Sequence, residues 1–216
     1  MSVNLIRTAL INQWNTIPGI IPTVALSLIT IGTPGIFTTA TPHGLISGIY
    51  VVMSGITGGT PAIADNYIVQ VIDANNFSLL DAATQQGISV TIAGSGGSVS
   101  ANLTSWPNAM FQAVVGVPYA KIDWVDAVPS EPTQGGGFRI EQGYMQVTFV
   151  YPPGIGTGAL LARIELIRSY FKKAMAFSYG GITVQIMQSP QLGSFNQSQD
   201  QITQVLRIYH STQIFS

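Results

Sequence analysis

No cysteine occurs in the 216 residues, which excludes disulfide bridges and thiolate metal ligands. Charge is also scarce: 8% of residues carry one, against about a quarter in an ordinary soluble domain. With a net charge of −1 there is no clustered Lys and Arg to grip a phosphate backbone. Unbroken apolar runs of membrane-spanning length are missing too. No charge falls between Arg7 and Asp65, and Ile17 to Ile31 is largely apolar. Yet Pro18, Gly19 and Pro22 break the front of that stretch, and Gly32, Pro34 and Gly35 break its back. A spanning helix needs about 20 apolar residues without such breakers, so no membrane partner is expected. The N-terminus lacks a basic segment leading into an apolar core and does not read as a signal peptide.

What is present is neutral and turn-rich. Apolar residues make up 46% of the chain, with 23 Gly and 12 Pro, and the mean hydropathy is +0.36. Such a chain buries much neutral surface, in its own core or against copies of itself. Its length suffices for one medium domain or two small ones.

Asn4 to Trp14 reads as a short helix, with Leu5, Ile6, Ala9 and Leu10 sharing a face and Pro18-Gly19 ending it. Residues 31–100 then differ from their surroundings. They hold no Lys or Arg, and Asp65, Asp73 and Asp81 give them −3, which leaves +2 for the rest of the chain. Short β-rich runs recur at Gly35–Ala40, Ile49–Ser54, Tyr67–Ile72, Phe77–Leu80 and Ile88–Ile92, separated by turns such as Pro42-His43-Gly44 and Asn75-Asn76. Gly94 to Ser98 suits a linker or hairpin tip. The expected organisation is a host domain, 1–30 with 101–216, carrying an inserted β-rich module at 31–100.

In the host, Val117–Val125, Gln146–Tyr151, Ile182–Met187 and Gln201–Tyr209 read as strands. Both faces of Gln146–Tyr151 are apolar enough for a sheet covered on two sides. Thr157 to Met175 reads as a helix with Leu160, Ile164, Ile167 and Phe171 on its buried stripe. Lys172 and Lys173 fall at the negative end of its dipole. Gln188 to Gln199 reads as a polar loop. The expected fold class is α+β: an antiparallel or mixed sheet packed with two helices, plus a small all-β insert.

Chemistry-bearing patterns are few. Gly154-Ile155-Gly156-Thr157-Gly158-Ala159 fits G-x-G-x-x-G/A between a strand and a helix, where backbone N–H groups could hold a pyrophosphate. That fingerprint also needs an acid at the end of the next strand, about 20 residues on. Here the next strand ends at Met187-Gln188 and the next acid is Asp200. His43 and His210 are the only histidines, one in each module, and a metal site would require the fold to bring them together. Asp123 and Asp126 read as a solvated strand end, and Arg163, Glu165, Arg168, Lys172 and Lys173 as a solvated or subunit-facing helix surface. No catalytic residue, cofactor or metal is expected.

Ser105-Trp106-Pro107-Asn108, Val117-Pro118-Tyr119, Gln146 to Pro152 and Gly156-Thr157-Gly158-Ala159 resemble a family of phage tail terminator proteins. So do Phe171-Lys172-Lys173, Gly181-Ile182-Thr183-Val184, the loop Gln188–Gln199 and the strand Gln201–Tyr209. The likeness covers the N-terminal helix and residues from about 103 to 210. The insert departs from it and resembles small β modules of other phage structural proteins, which open on Thr-x-His-Gly-Leu, here Thr41-Pro42-His43-Gly44-Leu45. The resemblance implies a homohexameric ring in the virion, assembled in the host cytoplasm. The ring sits at the head-proximal end of the tail tube, stops tube polymerisation and faces the head connector. DNA passes through it without sequence-specific binding. An alternative is a tail-tip, baseplate or adhesion protein that uses the β module to bind a host surface.

Pro129 to Phe138 reads as a loop of large conformational entropy, because ordering each residue costs about 1–2 kcal/mol. Contact with another subunit or the tube would offset that, so Glu131, Gln134, Gly135, Gly136, Gly137, Phe138 and Arg139 are the expected contact residues. The module at 31–100 is expected on the outer wall of the ring and separable from the host.

Overall fold

The structure is a computed structural model that describes residues 2–17, 23–60, 66–101, 103–109, 111, 113–132, 137–154 and 157–215. The chain divides into two compact units. The first contains Met1–Ile20, Thr104–Ala109 and Val115–Ser216, and the second Ile21–Leu103 and Met110–Val114.

The expected α+β class is not what forms. The protein is mostly β, with 50% of residues in strands and 14% in helices. Long stretches with weak or polar side-chain patterns are strands because distant partners satisfy their backbone groups, which local apolar periodicity does not reveal.

The second unit is a closed barrel. Its strands are β1 (Thr23–Ile29), β2 (Ile36–Thr39), β3 (Tyr50–Ser54), β4 (Thr57–Thr60), β5 (Asn66–Val71), β6 (Asn76–Asp81), β7 (Ile92–Ser95) and β8 (Ser98–Ala101). The order β2-β6-β5-β3-β8-β1 returns to β2 through the β1–β2 pairing, so six strands close on themselves, with β7 and β4 continuing beyond β1. Closure removes edges that would otherwise invite pairing. Ile29, Phe37, Val51, Phe77, Leu79 and Val99 are fully buried, and Phe37 stacks on Phe77 at 5.5 Å. Gly96-Gly97 is neither linker nor hairpin tip. It kinks one run of chain so that β8 and then β7 line the same edge of β1. At φ +80, a Cβ on Gly97 would meet the Ser54 carbonyl oxygen at 2.5 Å.

The first unit is one sheet with two helices, α1 (Ser2–Asn15) and α2 (Gly158–Tyr170). Its strands are β9 (Thr104–Ser105), β10 (Tyr119–Asp126), β11 (Phe138–Tyr151), β12 (Ala176–Tyr179), β13 (Ile182–Ile186), β14 (Gln191–Gln197) and β15 (Ile202–Phe215). β11 and β15 pair antiparallel along their whole lengths, from Phe138↔Phe215 to Tyr151↔Ile202. Alternate residues on one face, including Ile122, Met145, Val147, Phe149, Leu206 and Ile208, are fully buried. The stripes of the helices are buried as well, Ile6, Ala9, Leu10 and Trp14 on α1, which lies against β12 and β13, and Leu160, Ile164 and Ile167 on α2. The other face is only half-buried, at Tyr144, Gln146, Thr148, Val150, Val205 and Tyr209. α2 stops at Tyr170, five residues before the expected Met175, and a turn with Ala174 at φ +68 leads into β12.

Candidate assembly surface

β15 organises the candidate surface. One of its edges is taken by β11 throughout. The other is shared, with β13 pairing at His210–Thr212 and β14 at Ile202–Arg207. β12 lies outside β13, while β14 pairs with β15 only. β14 is therefore an open edge, exposed at nearly every position. Its pairing breaks register between Leu192 and Phe195, where Gln204 Nε2 donates to the Gly193 carbonyl at 3.1 Å. This segment was expected to be a polar loop. The bulge destroys the period-2 pattern that would have marked a strand, and only Leu192 and Phe195 hint at it.

At the far end of β15 the sheet narrows. β10 stops at Asp126 opposite Gly143, and β13 reaches no further than Thr212. Beyond that, β11 and β15 continue to Phe138 and Phe215, whose rings lie 5.3 Å apart, with Ala127 and Ser130 bonding to Gln142 and Ile140 on the outer edge of β11. Of the expected contact residues, the described ones, Glu131 and Gly137 to Arg139, fall here. Glu131 and Gly137 are exposed and Phe138 is half-buried. Arg139 pairs with Glu141 at 3.3 Å, and Ser130 bridges to Ile140. Gln134, Gly135 and Gly136 lie outside the described residues.

On the half-buried face, Val125, Tyr144, Met187 and Tyr209 line a groove of about 400 Å³. The Tyr144 and Tyr209 rings are 5.2 Å apart, and the Arg207 guanidinium lies 5.7 Å from the Tyr144 ring. On the opposite face, Asp126 and His210 flank Gly143, and Arg7 donates to Asp126 at 2.6 Å. Burial pushes the His210 imidazole down to about 4, with the Asp126 carboxylate working against that and Arg7 adding to it. Among the described residues, His210 Nδ1 and Thr212 Oγ1 find no hydrogen-bond partner.

The enzymatic patterns do not assemble. β11, which precedes the glycine-rich turn, runs antiparallel to both β10 and β15, so the turn does not sit in a βαβ unit. Ile155 and Gly156 lie outside the described residues. Asp123 pairs with Lys121 at 3.2 Å and Asp126 with Arg7, and as i, i+3 strand neighbours they face opposite ways. His43 staples its turn: Leu45 N–H donates to Nδ1 at 2.9 Å, and Nε2 lies 2.9 Å from the Asp73 carbonyl. Among the described residues no group of His, Asp and Glu could hold a metal ion, and no helix is long and apolar enough to cross a membrane.

A family sequence model described as phage tail terminator protein matches residues 80–208, more than half of the chain. The chain belongs to the phage tail terminator family. This is a structural family of phage tails, which makes the protein a component of the virion tail that works with other tail and head parts. The match begins inside β6 of the barrel unit and runs through the first half of β15. A comparison with curated proteins finds no match. One solved structure that bears no functional name is 18% identical, covers 52% of this chain and 80% of its own, and has a TM-score of 0.46.

Proposed function

We propose that this tail terminator assembles into a closed ring of six copies that caps the head-proximal end of the tail tube. The ring ends tube polymerisation and offers its far side to the head connector, while DNA slides through without sequence-specific contact. Family membership over residues 80–208 carries this reading. Sparse charge supports it, because a neutral lumen wall does not hold DNA back and neutral strand edges are suited to burial between subunits. Glu131, Gln134, Gly135, Gly136, Gly137, Phe138 and Arg139 serve as contacts to a neighbour or to the tube, and the barrel unit decorates the outer wall.

Native mass spectrometry of the purified chain, alone and mixed with tail tube, tests the ring. Six-fold mass is the expected result, and a monomer in both settings removes the proposal. Labelled protein seen at the distal tip of the tail would instead favour an adhesin. Limited proteolysis tests the contact loop: cleavage between Pro129 and Arg139 should be fast in free subunits and suppressed in assembled tails. Equal cleavage in both states would leave the loop an ordinary hairpin tip.

A further inference from the structure

A single register row crosses the buried face of the first unit's sheet near its end. It reads Ile186 on β13, His210 on β15, Gly143 on β11 and Asp126 on β10. α1 lies against β12 and β13 at one end of this row, with Leu5 packed on Gly180 of the turn between them. At the other end, Arg7 of the same helix donates to Asp126 at 2.6 Å and stands 5.7 Å from the Trp124 ring. The helix and its arginine therefore bridge the row, and His210 and Gly143 lie beneath the bridge. Gly143 leaves the room for this: a Cβ there would sit 3.2 Å from Asp126 Cα and 3.3 Å from His210 Nε2. The imidazole edge and Asp126 face each other across a missing side chain.

One carboxylate thus stands between two cations, one permanent and one conditional. Arg7 holds Asp126 while the imidazole is neutral. A protonated imidazole would share that carboxylate with a guanidinium of its own sign, in a site where His210 is 4% exposed. The neighbours on its own row and the next are Glu141 of β11, which pairs with Arg139 at 3.3 Å, Thr212 of β15, and the uncharged Val184 and Ile186 of β13. A buried charge without its own partner is costly, so the proton enters readily only when the bridge lifts and water reaches the ring. With α1 in place, burial holds the imidazole down to about 4.

We propose that α1 is a proton-sensitive lid: Arg7 latches it to Asp126 over neutral His210, and protonation of His210 releases the latch and lifts the helix. Lifting uncovers the apolar stripe of Ile6, Ala9 and Leu10 while the strands beneath stay paired. It is a partial opening, separate from the unfolding of the unit.

Amide hydrogen exchange of the full chain, read by mass spectrometry and normalised to the intrinsic rate at each pH, tests the lid. Peptides spanning residues 2–15 should open more easily than those from the middle of β11 and β15. Because the lifted form takes up the proton at the ordinary imidazole value, their protection should fall about 30-fold between about pH 7.5 and about pH 5. In H210Q this pH dependence should vanish. A helix that opens before the strands but with no pH dependence would mean that lifting it leaves His210 covered, which overturns the lid. Equal protection of α1 and the two strands at both pH values would mean that the helix opens only with the whole unit, which overturns it as well. A fall in H210Q as deep as in the wild type would place the titrating group elsewhere, with the same consequence. The wild-type comparison decides by itself if H210Q does not fold.

Discussion

Acidification should loosen the first unit through a single side chain. His210 is 4% exposed, its Nδ1 finds no hydrogen-bond partner among the described residues, and burial holds its pKa down to about 4 from the ordinary 6.5. Unfolding returns the imidazole to water and to its ordinary value. Between those two pH values the unfolded chain binds a proton that the folded chain does not, so stability rises with pH across that window. It is fully present above 6.5 and is lost as pH falls toward 4. With these two values, the loss between about pH 7.5 and about pH 5 comes to about 2 kcal/mol. The groups facing His210 are Asp126 and Arg7. Asp73 and Asp81, held below the usual carboxylate range by hydrogen bonds from Asn76 and Thr84, titrate beneath this window and belong to the barrel. All three tryptophans, Trp14, Trp106 and Trp124, lie in the first unit, so their emission reports that unit alone. Urea denaturation at the two pH values should show the drop in the wild type and lose it in H210Q. A wild type equally stable at both, or an H210Q that drops as far, would refute the burial argument.

Gly143→Ala should destabilise the first unit by about 1–3 kcal/mol, because its Cβ would sit 2.6 Å from the Val125 carbonyl oxygen and 3.3 Å from His210 Nε2; urea titration checks it. Trp14→Ala should lose about 3–5 kcal/mol, since Trp14 is fully buried, packs edge-on to Trp106 at 6.3 Å and donates to Thr104 at 3.3 Å. The remaining tryptophans give the signal for that measurement. Arg7→Ala should lose about 1 kcal/mol or less, because the Arg7–Asp126 pair is 35% and 45% exposed. The same change should raise the pKa of His210, readable as an upward shift of its imidazole titration by NMR. Replacing residues 21–103 with a short flexible linker should leave a soluble first unit with its tryptophan emission intact. A chain that aggregates or stays unfolded would show that the barrel is integral to it.

Local pattern made part of this protein readable and left another part hidden. The helix stripes were legible, because Ile6, Ala9 and Leu10, and then Leu160, Ile164 and Ile167, repeat at helical spacing and are buried. Strand β13 showed through Ile182, Val184 and Ile186, and the middle of β11 through Val147, Phe149 and Tyr151. The ends of β11 and β15 did not show. Their residues 138–142 and 211–215 are polar or mixed, and they are strands because each supplies the other's backbone partners across more than 60 positions of chain. β14 was hidden by its bulge. β1 resembled a neutral apolar stretch until β2, β7 and β8 paired with it.

By itself, the sequence determined the absence of disulfides, the scarcity of charge, two amphipathic helices and enough short motifs to resemble the tail terminator family. Only the tertiary structure decided that the chain is mostly β, that six strands close into a barrel, that Asp126 and His210 meet across Gly143, and that β14 is left open. The physical reason is one of range. Helical hydrogen bonds and stripes are made within a few residues, so composition and spacing record them. Sheet edges, closure and bulges are made by partners far along the chain, and no local window contains both sides of the bond.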